Sequence, residues 1–70
     1  MKNNFPGNLK RIRKEKGMSL QKIEDMTGIS LHLVWNYETG KTDPGLKNVL
    51  RIAETLGVSV GELVEGGGTP

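Results

Sequence analysis

Apolar side chains recur along this chain at intervals of three and four residues: Leu9 and Ile12, Leu20 and Ile23, Val34 and Tyr37, then Leu46, Val49, Leu50, Ala53 and Leu56. Such intervals place them on one face of a helix that turns every 3.6 residues. β-Branched residues nowhere alternate with polar ones over a usable length, so no strand is predicted. Gly17, Gly28, Gly40 and Gly57 each follow a helical segment, where the exit from a helix favours a residue that tolerates positive φ. Each later segment restarts at a capping residue: Ser19, Ser30, Asp43 backed by Pro44, and Ser59. The spacing predicts a first helix that starts between Asn4 and Asn8 and ends at Lys16, followed by helices over 20–27, 31–39 and 46–56. A final turn or short helix spans 59–64, with Ser59 and Glu62 at capping-box spacing. The expected fold class is therefore all-α, a compact five-helix domain over residues 1–65. Residues 66–70, three glycines followed by Thr69 and Pro70, have the composition of a flexible tail or the start of a linker.

Composition narrows the function classes. The chain has 70 residues, 34% of them apolar, and no cysteine. A domain of this size buries only about 60% of its unfolded surface, so a large cavity for a substrate or cofactor would compete with the packing that keeps it folded. An enzyme is not expected, nor is a cofactor. Without cysteine there is neither a disulfide staple nor a thiolate metal site. No apolar run approaches the roughly 20 residues of a membrane span, and Met1 to Asn8 lacks the apolar stretch of a secretory signal. The expectation is a soluble, cytoplasmic chain. The net charge of +2 hides a strong asymmetry. Residues 1–22 hold seven basic residues against one acidic, and residues 23–70 hold three basic against seven acidic. Such a dipole steers one end of the molecule toward an anion such as nucleic acid or acidic lipid, although a solvated helix face has the same composition.

Gly28, Ile29 and Ser30 separate the predicted second and third helices. This is the short glycine-bearing joint of a helix-turn-helix, which sets one helix across the other. The joint alone is a weak signal, but the chain from about Leu9 to Leu63 resembles the Cro and phage-repressor family of helix-turn-helix domains. The matching residues include Arg13, Gly17, Ser19, Ile23, Gly28, Ile29, Ser30, Val34, Ala53, Leu56, Gly57, Val58, Ser59 and Leu63. The run Tyr37-Glu38-Thr39-Gly40-Lys41 followed by Pro44 and Leu46 is the most specific part. The resemblance implies sequence-specific binding of double-stranded DNA in transcriptional control, of the repressor type and usually as a homodimer.

In that family the outward residues of the third helix read bases, which on this chain implies Leu31, His32, Trp35 and Asn36, with Leu33 at the edge. An asparagine amide pairs bidentately with adenine, and apolar side chains meet the thymine methyl group. The resemblance also implies DNA-backbone contacts from Ser19, Leu20, Gln21 and Ser30 at two helix starts, and from Thr39, Lys41 and Thr42 after the third helix. Ser19 and Ser30 are followed three residues later by Lys22 and Leu33, not by acids, so both helix starts are expected to be electropositive. Arg13 and Glu38 occupy positions that the family pairs structurally across the first and third helices.

Two features depart from the family. Leu31, Leu33 and Trp35 make the third helix unusually apolar for a base reader, which leaves open an alternative: the same fold serving as a protein-interaction module through that helix. Glu24 stands where the family usually has a small residue, and a carboxylate there needs a partner or a route to water. Other chemistries find no support. His32 is the only histidine, so a zinc site would have to gather carboxylates from distant segments. Gly40-Lys41-Thr42 ends like a phosphate-binding loop, but Trp35 stands where the first glycine of that motif is required.

Overall fold

The structure, a computed structural model, describes residues 4–65. The predicted tail, residues 66–70, lies outside the described residues. Five helices follow in order: α1 (Phe5–Glu15), α2 (Leu20–Thr27), α3 (Leu31–Glu38), α4 (Leu46–Leu56) and α5 (Val60–Val64), with no strand among the described residues. The fold is all-α, as the spacing predicts. Lys16 and Thr39, expected as last helical residues, are the C-caps of α1 and α3. Gly17, Gly28, Gly40 and Gly57 all carry positive φ, between 69° and 78°. At Gly28 (φ 78°) this conformation sets the direction of α3 relative to α2, and any residue with a Cβ is strained there.

The helices after α1, whose N-cap Asn4 makes no side-chain bond, start as their cap chemistry dictates, with one exception. The hydroxyls of Ser19, Ser30 and Ser59 accept from the amides of Lys22, Leu33 and Glu62, and Glu62 returns a bond from the Ser59 amide to complete a capping box. The exception is Asp43, which does not cap α4. The N-cap is Gly45, in an extended conformation without a side-chain bond. Pro44 disfavours the helical region for the residue before it, so the chain enters α4 only after the proline. Glycine at the cap costs only a few tenths of a kcal/mol relative to a side-chain cap.

α1 packs against α3 and α5, α2 against α3 and α4, and α4 against α5. Between them lie Phe5, Leu9, Ile12, Ile23, Ile29, Val34, Tyr37, Val49, Ile52, Ala53, Leu56 and Leu63. Each of the fully buried Leu9, Ile23, Ile52 and Leu63 contributes roughly 1.5–3 kcal/mol by leaving water. The Phe5 ring meets Tyr37 edge to face, with centroids 6.1 Å apart. Val49, Ile52, Ala53 and Leu56 form the buried face of α4, whereas Leu46 and Leu50 are 70% and 51% exposed. Helical spacing alone places them with the core, but they fall on a flank of α4 that no other helix among the described residues covers.

Polar side chains close the remaining gaps between helices. Asn8, itself buried, donates from Nδ2 to the carbonyls of Leu63 and Glu65 at 2.9 Å each, so α1 satisfies the open end of α5. Arg51 Nη1 does the same for α2, donating to the Thr27 carbonyl at 3.1 Å. Thr27 Oγ1 donates back to the Ile23 carbonyl and accepts from the Ile29 amide, which fixes the turn before α3 from inside.

Candidate nucleic-acid interface

α3 is held by both of its buried flanks. Val34, Tyr37 and Glu38 face inward, and Leu33, left at the edge by the sequence, is partly buried against the core. Arg13 of α1 reaches α3 through two parallel bonds, Nε to Glu38 Oε2 at 2.6 Å and Nη2 to Glu38 Oε1 at 3.1 Å. Its remaining nitrogen, Nη1, donates to the Met18 carbonyl at 2.8 Å. The forked geometry matches a carboxylate in two places and fixes the rotation of α3 about its axis. The Tyr37 hydroxyl accepts from Asn48 Nδ2 at 2.9 Å, which ties the same helix to α4.

This fixation leaves Leu31, His32, Trp35 and Asn36 on the outer side of α3. His32 and Trp35 are exposed, and Leu31 and Asn36 are half-buried. The indole of Trp35, 39% exposed, is stacked on the His32 ring one turn earlier, with centroids 6.1 Å apart and planes 26° apart. Lys41 Nζ lies 4.5 Å from the indole centroid, a cation–π contact from the loop that follows the helix. The Lys41 amide donates to the Asn36 carbonyl at 2.9 Å, so the same residue closes the end of α3 and rests on its tryptophan. Thr39 Oγ1 turns back to the Trp35 and Asn36 carbonyls, and Thr42 is exposed.

The two helix starts differ, and one expectation is overturned. At α2, Ser19 caps the Lys22 amide and no acid lies in the first turn, which leaves the amides of Leu20 and Gln21 at a positive helix end. The Gln21 side chain is turned along α2 instead, donating to Glu24 Oε1 at 3.3 Å and Asp25 Oδ1 at 3.0 Å. At α3, Ser30 caps Leu33, but Glu24 Oε1 accepts from the Leu31 amide at 3.3 Å. A carboxylate therefore already occupies the α3 start, which is not the open electropositive end that its own first turn suggested. The helix crossing brings an acid from seven residues upstream to that amide, and the half-buried Glu24 thereby gains a second partner besides Gln21.

Lys10 and Lys14, not singled out from the sequence, also belong to this face. They lie one turn apart on α1 and line the crevice shared by Leu20, Trp35 and Thr39. Their signal in the sequence is the cationic first third of the chain, but only the packing of α1 on α3 shows which of its lysines stand beside the indole. Among the described residues, no group of three or more potential ligands gathers to hold a metal ion, and no helix is long and apolar enough to cross a membrane.

Two short helices joined by a left-handed glycine turn, with the second one exposed and braced from behind, define a helix-turn-helix protein. The chain belongs to the helix-turn-helix domain family, whose model matches residues 7–68. It is 39% identical over 62 residues to the SPbeta prophage-derived HTH-type transcriptional regulator YonR of Bacillus subtilis, covering 89% of this chain and 57% of that protein. Among solved structures it is similar to a transcriptional regulator from Listeria innocua, with a TM-score of 0.80 and 30% identity over 91% of this chain and 60% of that one. It is also similar to the restriction-modification controller protein C.AhdI from Aeromonas hydrophila, with a TM-score of 0.82 and 28% identity over 86% of this chain and 91% of that one. The chain thus spans little more than half the length of the B. subtilis relative.

Proposed function

We propose that this chain is a sequence-specific double-stranded DNA-binding transcriptional regulator of the repressor type, which acts in the cytoplasm by occupying an operator and performs no chemistry. The observation that carries this reading is the outer face of α3, where His32 and Trp35 stand exposed beside the half-buried Leu31 and Asn36, with Lys10, Lys14 and Lys41 next to the indole. In this reading α3 enters the major groove, and Leu31, His32, Trp35 and Asn36 meet base edges. Ser19, Leu20 and Gln21 at the start of α2, Ser30 before α3, and Thr39, Lys41 and Thr42 after it meet the sugar–phosphate backbone. Of the two helix starts, α2 is the stronger phosphate site, because Glu24 already neutralises the other.

The regulator acts as a homodimer on DNA, since one short reading helix contacts too few base pairs to select a site alone. Support for a second copy comes from α4, whose exposed Leu46 and Leu50 are flanked by Lys47, Arg51 and Glu54. In an antiparallel pair of α4 helices about a two-fold axis beside Leu50, each Lys47 would face the other copy's Glu54, so the patch is self-complementary. The reading is tested by a gel-shift selection from genomic fragments with heparin as competitor. The expected outcome is enrichment of fragments that carry two inverted half-sites about one helical turn, roughly 34–36 Å, apart. Retention of no fragment by the folded protein overturns the DNA-binding reading, and enrichment of single, unpaired sites overturns the dimer.

A further inference from the structure

The groove-facing chemistry of α3 is unusual in what it lacks. The helix, Leu31-His32-Leu33-Val34-Trp35-Asn36-Tyr37-Glu38, contains no arginine, lysine or glutamine. The bidentate donors that select guanine are therefore absent from it, and a single amide, the half-buried Asn36, is left to pair with adenine. Val34, Tyr37 and Glu38 are spent on the interior and Leu33 on the edge of the core. The largest group that remains is the Trp35 indole.

That indole is pinned. His32 stacks on it from within the helix, and Lys41 rests on it from the following loop. An aromatic surface held in one place before binding loses little rotamer freedom on contact, which favours a specific partner over a diffuse one. In the major groove of B-DNA the largest apolar group is the 5-methyl group of thymine, whereas the N7, O6, N6, N4 and O4 groups are hydrogen-bond donors or acceptors that an indole face leaves desolvated and unpaired.

We propose that Trp35 is the specificity-determining residue of this face, and that each operator half-site presents a thymine whose 5-methyl group packs against its indole. This rests on the DNA-binding reading above and adds to it the chemistry of the base that is read.

The test uses duplexes enriched from a random-sequence pool by the full chain, resynthesised with deoxyuridine in place of thymidine one position at a time. Uracil keeps every hydrogen bond of the base pair and removes only the methyl group. Burial of one methyl-sized group corresponds to a factor of about four in affinity. The expected result is therefore a roughly fourfold weakening at one thymine of each half-site, and about fifteenfold when both are replaced. The same substitutions are expected to have no effect on Trp35→Ala, whose affinity for the thymine duplex already matches that of the wild type for the uracil duplex or falls below it. An enriched duplex bound equally well with uracil at every position overturns the thymine inference and leaves DNA binding intact. Methyl sensitivity that survives in Trp35→Ala overturns the assignment to Trp35. Enrichment of no duplex overturns both this inference and the reading beneath it.

Discussion

Replacing Arg13 with alanine is expected to lower the stability of the fold by about 3–5 kcal/mol, a large part of what a domain of this size possesses. The change leaves the Glu38 carboxylate, almost wholly buried, without its two guanidinium bonds, and leaves the Met18 carbonyl without its donor. Glu38→Ala is expected to cost a similar amount by leaving the buried guanidinium of Arg13 without its counter-ion, held only by the Met18 carbonyl. The double variant Arg13→Ala/Glu38→Ala is expected to lose clearly less than the two single losses together, because no charge is then left alone in the interior. Thermal or urea denaturation of the four proteins at neutral pH measures this coupling. Additive losses would show that the forked pair does not brace α3.

The second large effect is on DNA affinity. Lys10 and Lys14 beside Trp35, Lys22 in the first turn of α2 and Lys41 over the indole are four lysines per copy on or near the reading face. If all four approach phosphates in a dimer, about eight counterions are released on binding, and log K falls with log salt with a slope near −7. Raising salt from about 50 to about 200 mM should then weaken binding by roughly 10⁴-fold. Substituting Lys10 and Lys14 together by glutamine should flatten that slope by about three to four units while leaving the preferred sequence unchanged, since phosphate contacts position the protein and do not read bases. Polarisation titrations of a labelled duplex over a salt series supply both numbers. An unchanged slope in the double variant would remove α1 from the interface.

Helix boundaries were legible because their signals are local. A glycine with positive φ ends a helix through its own backbone, and a serine cap acts on an amide three residues away, so neither needs knowledge of the rest of the chain. Apart from Asp43, which Pro44 beside it keeps out of the helix, the failures came from what lies beside a segment in space. Asp43 has the right side chain for a cap, but the helix begins only after Pro44. Leu46 and Leu50 keep the helical spacing of core residues, yet no neighbouring helix among the described residues covers that flank of α4. The charge of the α3 start is hidden for the same reason, because Glu24 is seven residues away in sequence and in hydrogen-bond reach only once α2 and α3 cross. Lys10 and Lys14 were visible as charge but not as neighbours of Trp35. The outer residues of α3 could be named from periodicity together with the family resemblance, whereas the stack of His32, Trp35 and Lys41 joins the helix to a loop and appears only in three dimensions.

The central claim, that the outer face of α3 meets duplex DNA, is tested most directly by the emission of Trp35, the only tryptophan in the chain. Its side chain is part exposed in the free protein and belongs to the surface in question. The measurement is an intrinsic-fluorescence dilution series followed by titration of an enriched duplex into the same sample. The account predicts emission characteristic of a partly solvated indole that does not change on dilution, and then a quench or spectral shift that saturates at one half-site per chain, as the indole settles against the floor of the groove. Blue-shifted emission that moves to the red on dilution would contradict it, because the α3 face would then be occupied by another protein chain, as would emission that duplex DNA leaves unchanged while binding is registered by polarisation.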